Sequence, residues 1–160
     1  MRIIGIDPGY AIVGYAIIDL EKNKRRLLKY GTIETSSRDE FPNRICKIYN
    51  EMNDILHNFT PDFASIESLL FQNNQKTAIK VAEARGVIIL SLKNFNVKIF
   101  ELTPLQVKSS LTGYGKATKQ QIILMTKKIL NLTEPIKPDD AADACALALS
   151  GSIFVNLDNM

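Results

Sequence analysis

The order of hydrophobic patterns along the chain is the feature that most restricts its possible folds. Three strand-like stretches come first, and only a Pro-Gly turn and the polar segment "EKNKRR" separate them. They lie at Arg2 to Asp7, Ala11 to Leu20 and Leu27 to Thr35. Consecutive strands with short connections predict an antiparallel meander. Helical and strand-like patterns then alternate, which predicts further strands joined through helices and running parallel.

The later elements complete an α/β pattern. A fourth strand ends at Glu67 and a fifth runs from Asn96 to Leu102. Helical spacing or composition predicts five helices, at Phe41 to Phe59, Gln75 to Leu92, Pro104 to Ser110, Thr118 to Leu130 and Asp139 to Phe154. We therefore predict a single domain over residues 1–160, with a five-stranded mixed sheet and helices on both faces.

Composition excludes several other classes of protein. The chain has 160 residues, of which 46% are hydrophobic and 23% charged, as in an ordinary globular domain. Its two cysteines, Cys46 and Cys145, lie in apolar helical patterns, so we predict reduced core residues and no zinc site. No apolar run approaches the roughly 18 residues of a membrane span, and we expect no leader peptide before the first strand. We expect a cytoplasmic protein with no membrane partner.

Positive charge is concentrated in one part of the chain. Between Phe71 and Lys128 there are ten Lys or Arg residues against two acids, a net +8, whereas the whole chain carries +3. Such asymmetry indicates one face that binds a polyanion. The alternative is a set of solvated helix faces.

Four acidic residues are predicted to meet at one end of the sheet. Asp7 and Glu67 end two strands that become parallel neighbours if a crossover helix joins them, and ligands bind at such strand ends. Asp140 and Asp143 are three residues apart on the last helix, so they share one face. Each acid also has a structural interpretation, as a turn cap or as a favourable charge at a helix start. Asp143 is the exception, because alanines and leucines surround it.

A divalent cation would relieve the repulsion among these carboxylates. Oxygen ligands without Cys or His select Mg²⁺ or Mn²⁺, and two such ions can hydrolyse a phosphodiester. His57 is the only histidine and lies on a polar helix face, so we interpret it as a surface residue. A serine or cysteine triad therefore lacks its usual base.

Basic and aromatic residues near these acids predict a nucleic-acid surface. Lysines spaced along a helix-loop-helix contact successive phosphates, and an aromatic just after Glu67 can stack on or wedge between bases. The alternatives are simple solvation for each lysine and core packing for the aromatic. The residues assigned to DNA binding are Phe71, Lys76, Lys80, Arg85, Lys108, Lys116 and Lys119.

Five motifs in order resemble the RuvC family of Holliday junction resolvases. They are "GIDPG", "SIESLLFQNN", "EARG", "QVKSSLTGYGKATK" and "DDAADACALAL", and the resemblance runs from about Arg2 to Ser152. The resemblance implies a ribonuclease H-like fold and a homodimer that makes paired symmetric nicks in four-way DNA junctions. It also implies up to two Mg²⁺ or Mn²⁺ ions per subunit and RuvA and RuvB as branch-migration partners.

The same resemblance assigns roles to individual residues. Asp7, Glu67, Asp140 and Asp143 match the catalytic and metal-binding acids, and the "DAAD" spacing leaves Asp139 outside the set. The chain departs from the family where an aromatic is often three residues after the glutamate. Leu70 occupies that position and Phe71 follows it, so the base-contacting role moves to Phe71.

Two further hypotheses come from other classes of protein. A nucleic-acid-binding module of the same fold without catalysis explains the basic segment but leaves four convergent acids without a role. A phosphotransferase of the actin-like type also begins with a similar strand motif. Its nucleotide lies between two lobes, however, and 160 residues do not supply both.

Overall fold

The computed structural model of the protein describes residues 1–22, 24–68 and 75–158. Within them lie five strands and five helices. The strands are β1 Arg2–Asp7, β2 Ile12–Glu21, β3 Lys24–Glu34, β4 Phe63–Glu67 and β5 Lys98–Leu102. The helices are α1 Phe41–Phe59, α2 Gln75–Asn94, α3 Pro104–Thr112, α4 Lys119–Ile129 and α5 Asp139–Asp158. The predicted order of elements is confirmed.

The strands form one mixed sheet in the order β3-β2-β1-β4-β5. β1, β2 and β3 pair antiparallel as the predicted meander, and β1 pairs parallel with β4, with Ile6 opposite Ile66. β4 in turn pairs parallel with β5. The carboxyl ends of β1, β4 and β5 therefore lie at the same edge of the sheet.

The two faces of the sheet are covered by different helices. Ile4 and Ile6 of β1 pack in a core beneath α1 and α2, whose buried residues include Ile48 and Ile88. Ile3 points to the opposite face, into a core built largely from α5. Alternating side chains along a strand that is covered on both sides explain why β1 is nearly all apolar.

Two glycines allow α5 to lie unusually close to the sheet. A Cβ on Gly5 of β1 would collide with the backbone of Ala144, and one on Gly14 of β2 would collide with the backbone of Asp140. Both strands therefore need a residue without a side chain where the alanine-rich helix crosses them. The close approach brings the start of α5 to the end of β1.

Three predictions at the level of elements need correction. β3 begins at Lys24 and β2 extends to Glu21, so "EKNKRR" belongs mostly to a hairpin whose charged side chains remain outside the core. Cys46 is exposed, because it lies about half a turn round α1 from the buried residues Arg44 and Ile48. Helix α5 extends to Asp158, beyond the predicted end at Phe154.

Other predictions of local structure are confirmed. Cys145 is buried, and His57 lies exposed on α1. Thr103 caps α3 in a capping box with Gln106, as expected for a threonine before Pro104. None of the helices in the described ranges is long and apolar enough to cross a membrane.

Candidate active site

Two predicted acids lie side by side at the sheet edge. Asp7 is the last residue of β1 and Glu67 the last residue of β4, and these strands are parallel neighbours. A glycine, Gly14, stands opposite Asp7 on β2, so no cationic side chain faces the carboxylate from that strand. The position of both acids follows directly from the parallel pairing of β1 with β4.

Helix α5 brings a third carboxylate into the same cavity. The cavity has a volume of about 230 Å³, and its polar lining includes Asp7, Glu67 and Asp143. Lys108 and Lys119 complete this polar lining, and the apolar side of the cavity comprises Pro104, Val107, Ile122, Ala146 and Leu147. Asp140 is half-buried beside it and is not among the described lining residues.

The carboxylates raise one another's pKa. The pKa of Asp7 is raised to about 7, chiefly by burial and then by the negative charges of Glu67, Asp143 and Asp140, against the smaller opposing effect of Lys119. Burial and the charge of Asp143 likewise raise the pKa of Glu67. The pKa of Asp143 is raised by burial, although Lys119 counteracts this. All four predicted acids are therefore close enough for their charges to interact.

Lys119 contacts one of these acids directly. Its ammonium nitrogen lies 3.2 Å from Asp143 Oδ2 and 3.0 Å from Asp139 Oδ2. The hydrogen bond to Asp139 is the main cause of the raised pKa of Lys119. In the part of the chain that the structure describes, no three His, Cys, Asp or Glu side chains are gathered tightly enough to hold a metal ion. The acids thus share a cavity while one of them is bound to lysine.

The other predicted DNA-binding residues have different surroundings. Lys108 lines the cavity, and Lys116 is exposed on the loop before α4. Lys80 places its ammonium over the rings of Tyr10 and Phe41, 5.7 and 5.5 Å from their centroids. Phe71 and the side chain of Lys76 lie outside the described residues.

Arg85 makes its contacts within the protein. Its guanidinium lies 2.6 Å from a carboxylate oxygen of Glu101 on β5, and its Nε donates to the backbone carbonyl of Glu67. These two contacts connect α2 to the ends of β4 and β5. Arg85 therefore supports the strand end that carries Glu67.

Two features of this site were not predicted from the sequence. Asp139 was placed outside the acid set without its contact with Lys119, and Gly14 was not identified as the residue that admits α5. The available signal was the combination of glycines on adjacent strands with an alanine-rich helix, because small residues on both sides permit close packing.

Comparisons with known proteins show the family and the fold of the chain. The family model described as "Crossover junction endodeoxyribonuclease RuvC" matches residues 3–151, nearly the whole chain. The chain belongs to the RuvC family. The resemblance inferred from its five motifs is confirmed.

Individual RuvC proteins match over their full lengths. The chain is 51% identical to the RuvC of Finegoldia magna over 163 residues, covering 100% of this chain and 99% of that protein. It is 52% identical to the RuvC of Alkaliphilus oremlandii over 160 residues, covering 100% and 98%.

A solved RuvC structure has the same architecture. The structure of Thermus thermophilus RuvC in complex with Holliday junction substrate is 31% identical to this chain. It superimposes with a TM-score of 0.94 and covers 99% of this chain and 96% of that one. The predicted ribonuclease H-like fold is confirmed by this likeness.

Proposed function

We propose that this chain is a metal-dependent endonuclease that resolves four-way DNA junctions by paired symmetric nicks. The observation that carries this proposal is that Asp7, Glu67, Asp143 and Lys119 line the same cavity. Family membership supports it, since the family is that of crossover junction endodeoxyribonucleases and one similar structure contains a junction substrate. Hydrolysis would leave 5′-phosphate and 3′-hydroxyl ends.

The donor set fits a hard divalent cation. Its ligands are carboxylate oxygens, which hard cations prefer, and burial together with the neighbouring negative charges raises the pKa of Asp7. We assign Mg²⁺, with Mn²⁺ as a substitute and up to two ions per subunit, to Asp7, Glu67, Asp140 and Asp143. Such ions, when bound, activate a water and stabilise the departing oxygen of a phosphodiester.

Each polar residue of the cavity has a separate task in this proposal. Asp7 and Glu67 would hold metal at the ends of β1 and β4, and Asp140 and Asp143 would complete the ligand set from α5 and orient water. Lys119 stabilises the charge that develops on the phosphoryl oxygens, because an ammonium in a cavity interacts strongly with an anion. Lys108 binds an adjacent phosphate.

The remaining basic residues position the DNA around the cavity. Lys80 and Lys116 contact backbone phosphates, which gives affinity that depends on salt concentration rather than on sequence. Lys76 and Arg85 belong to the same basic segment, although Arg85 must first release Glu101 to reach DNA. Phe71 is assigned to base contact.

The proposed protein partners follow from the family and from the substrate. A homodimer places two equivalent sites against the two strands of a junction, since a two-fold enzyme matches a substrate of similar symmetry. We assign the interface to the α2 face of Ala78, Val81, Ala82, Arg85 and Ile89, whose residues are half-buried in the single chain. RuvA and RuvB are proposed as branch-migration partners.

Cleavage of synthetic junctions by the purified protein tests the proposal. We expect Mg²⁺-dependent nicks at symmetric positions in a labelled four-way junction and little cleavage of linear duplex. We expect Asp7→Asn to reduce cleavage by at least about a thousandfold and to leave junction binding intact, because the substitution removes a metal ligand. Normal cleavage by this variant would refute the assignment.

The same assay distinguishes a binding module from a nuclease. A module without catalysis would shift the junction in a gel and leave it uncut at every Mg²⁺ or Mn²⁺ concentration. Asp54→Asn removes an exposed carboxylate of α1 and is the matched control, for which we expect wild-type cleavage.

A further inference from the structure

Lys119 lies at a position that helix stability does not explain. It is the first residue of α4, where a positive side chain faces the positive end of the helix dipole. Thr118 and Gln121 already satisfy the helix start through a capping box, so the lysine is not needed as a cap. Its location is accounted for by the two carboxylates of α5 that it contacts.

The two carboxylates reach Lys119 from the same side of α5. Asp139 and Asp143 are four residues apart, so they lie one above the other on the helix. Both place their Oδ2 atoms near the ammonium, at 3.0 Å for Asp139 and 3.2 Å for Asp143. One lysine is thus shared between an acid of the cavity and an acid outside it.

The backbone on both sides of this bridge is fixed by packing. Ala117 and Ile122 lie on either side of Lys119 in the chain, and Ala141 and Ala142 lie between Asp139 and Asp143. All four apolar side chains belong to the same buried core. The starts of α4 and α5 therefore cannot separate freely, and only side-chain rotation moves the ammonium between the two carboxylates.

We propose that Asp139 is a positioning residue that holds Lys119 at the edge of the cavity when Asp143 turns to bind metal. This inference rests on the proposed nuclease function. Without Asp139, the ammonium has Asp143 as its nearest partner and competes with a metal ion for that carboxylate. With Asp139, it keeps a second anion within reach and remains beside the phosphate to be cleaved.

Metal affinity measured without DNA separates this role from a general loss of charge. We expect Asp139→Asn to weaken Mn²⁺ binding several-fold in calorimetric titration of the full chain, because the ammonium then stays on Asp143. In a Lys119→Gln background, the same substitution should change Mn²⁺ affinity by less than about twofold. Equal weakening in both backgrounds would overturn the proposal, since simple removal of a nearby charge acts in either.

Cleavage measurements provide a second test. We expect Asp139→Asn to lower the single-turnover rate at saturating Mg²⁺ and junction by about tenfold, and Asp139→Glu to retain most of the rate. Junction affinity in EDTA should stay within about twofold of the wild type, since the residue does not contact DNA in this proposal. An unchanged single-turnover rate in Asp139→Asn would also overturn the proposal.

Two controls keep this test separate from the proposed function itself. Glu134→Gln removes another exposed acid before α5 and should leave both Mn²⁺ affinity and rate unchanged. Asp139 is itself exposed, with 75% of its side chain accessible, so Asp139→Asn should not lower Tm. If the wild type cleaves junctions and Asp7→Asn does not, the nuclease assignment stands whatever the result for Asp139.

Discussion

The carboxylates at the two ends of β1 have opposite surroundings. At one end Asp19 of β2 stands opposite Arg2, whose Nε lies 2.7 Å from Asp19 Oδ1, and this bond lowers the pKa of Asp19. At the other end Asp7 stands opposite Gly14, and burial, followed by the negative charges of neighbouring acids, raises its pKa to about 7. The first arrangement stabilises the fold, whereas the second opposes ionisation of Asp7, an effect that a bound cation can offset. A carboxylate without its own cation thus marks the candidate site.

The largest change in stability is expected when Arg2, the cation that pairs with Asp19, is removed. We expect Arg2→Ala to lower the free energy of unfolding by about 3 kcal/mol, because it leaves Asp19 buried without its principal partner. It also removes the hydrogen bond that Arg2 donates to the carbonyl of Phe59. Urea denaturation at pH 7 measures the change, and a loss below about 1 kcal/mol would contradict the structural role of this pair.

At the Asp7 end of β1, we expect removal of the carboxylate charge to stabilise the protein. Asp7→Asn should raise the free energy of unfolding by about 2 kcal/mol at pH 8 in EDTA, because an isosteric amide does not carry the ionisation cost. The raised pKa means that the folded state binds a proton more tightly than the unfolded state. As the pH rises from about 4 to about 7, ionisation of Asp7 therefore makes the wild type less stable. The advantage of the variant should vanish near pH 4.

Urea denaturation across this pH range, with Asp54→Asn as the control, measures the difference. Addition of Mg²⁺ at pH 8 should raise the Tm of the wild type and have a smaller effect on Asp7→Asn, since a ligand that binds only the folded state stabilises it. A variant that is less stable than the wild type at every pH would contradict the repulsion inferred for this end.

The smallest effect on stability is expected from the exposed contact of Arg26 with Asp19. Arg26 approaches Asp19 Oδ2 at 3.5 Å, but 70% of its side chain is exposed. Arg26→Ala should therefore lower the free energy of unfolding by less than about 0.5 kcal/mol, because water and salt screen such a pair. Denaturation of Arg2→Ala and Arg26→Ala under the same conditions compares the two cations, and equal losses would show that burial does not distinguish them.

Much of the fold followed from local patterns. β1 and α1 were predicted with their observed limits because alternation on a buried strand and helical spacing are both visible in short windows. The hairpin between β2 and β3 was predicted too short, since its charged residues look like a loop although their backbones pair. Cys46 was misplaced because a moderately apolar residue gives a weak signal for which face of a helix it occupies.

The site was predictable in residue type and less so in its contacts. Asp7 and Glu67 could be placed together because the connection between their strands implies parallel pairing, which the sheet confirms. The contact of Lys119 with Asp139 could not be foreseen, because it depends on how two helices cross. Arg85 illustrates the same limit, since its partner Glu101 lies on a strand 16 positions later in the chain.

The elements, the family motifs and the identities of the acids could be inferred from the amino-acid sequence, because hydrophobic period and residue chemistry are local properties. The packing of the elements sets which charges meet. Gly5 and Gly14 let α5 approach the sheet, and this approach brings Asp143 into the cavity with Asp7 while Lys119 reaches it from α4. Electrostatic energy depends on distances of a few ångströms between residues far apart in the chain, and only the packed fold sets those distances.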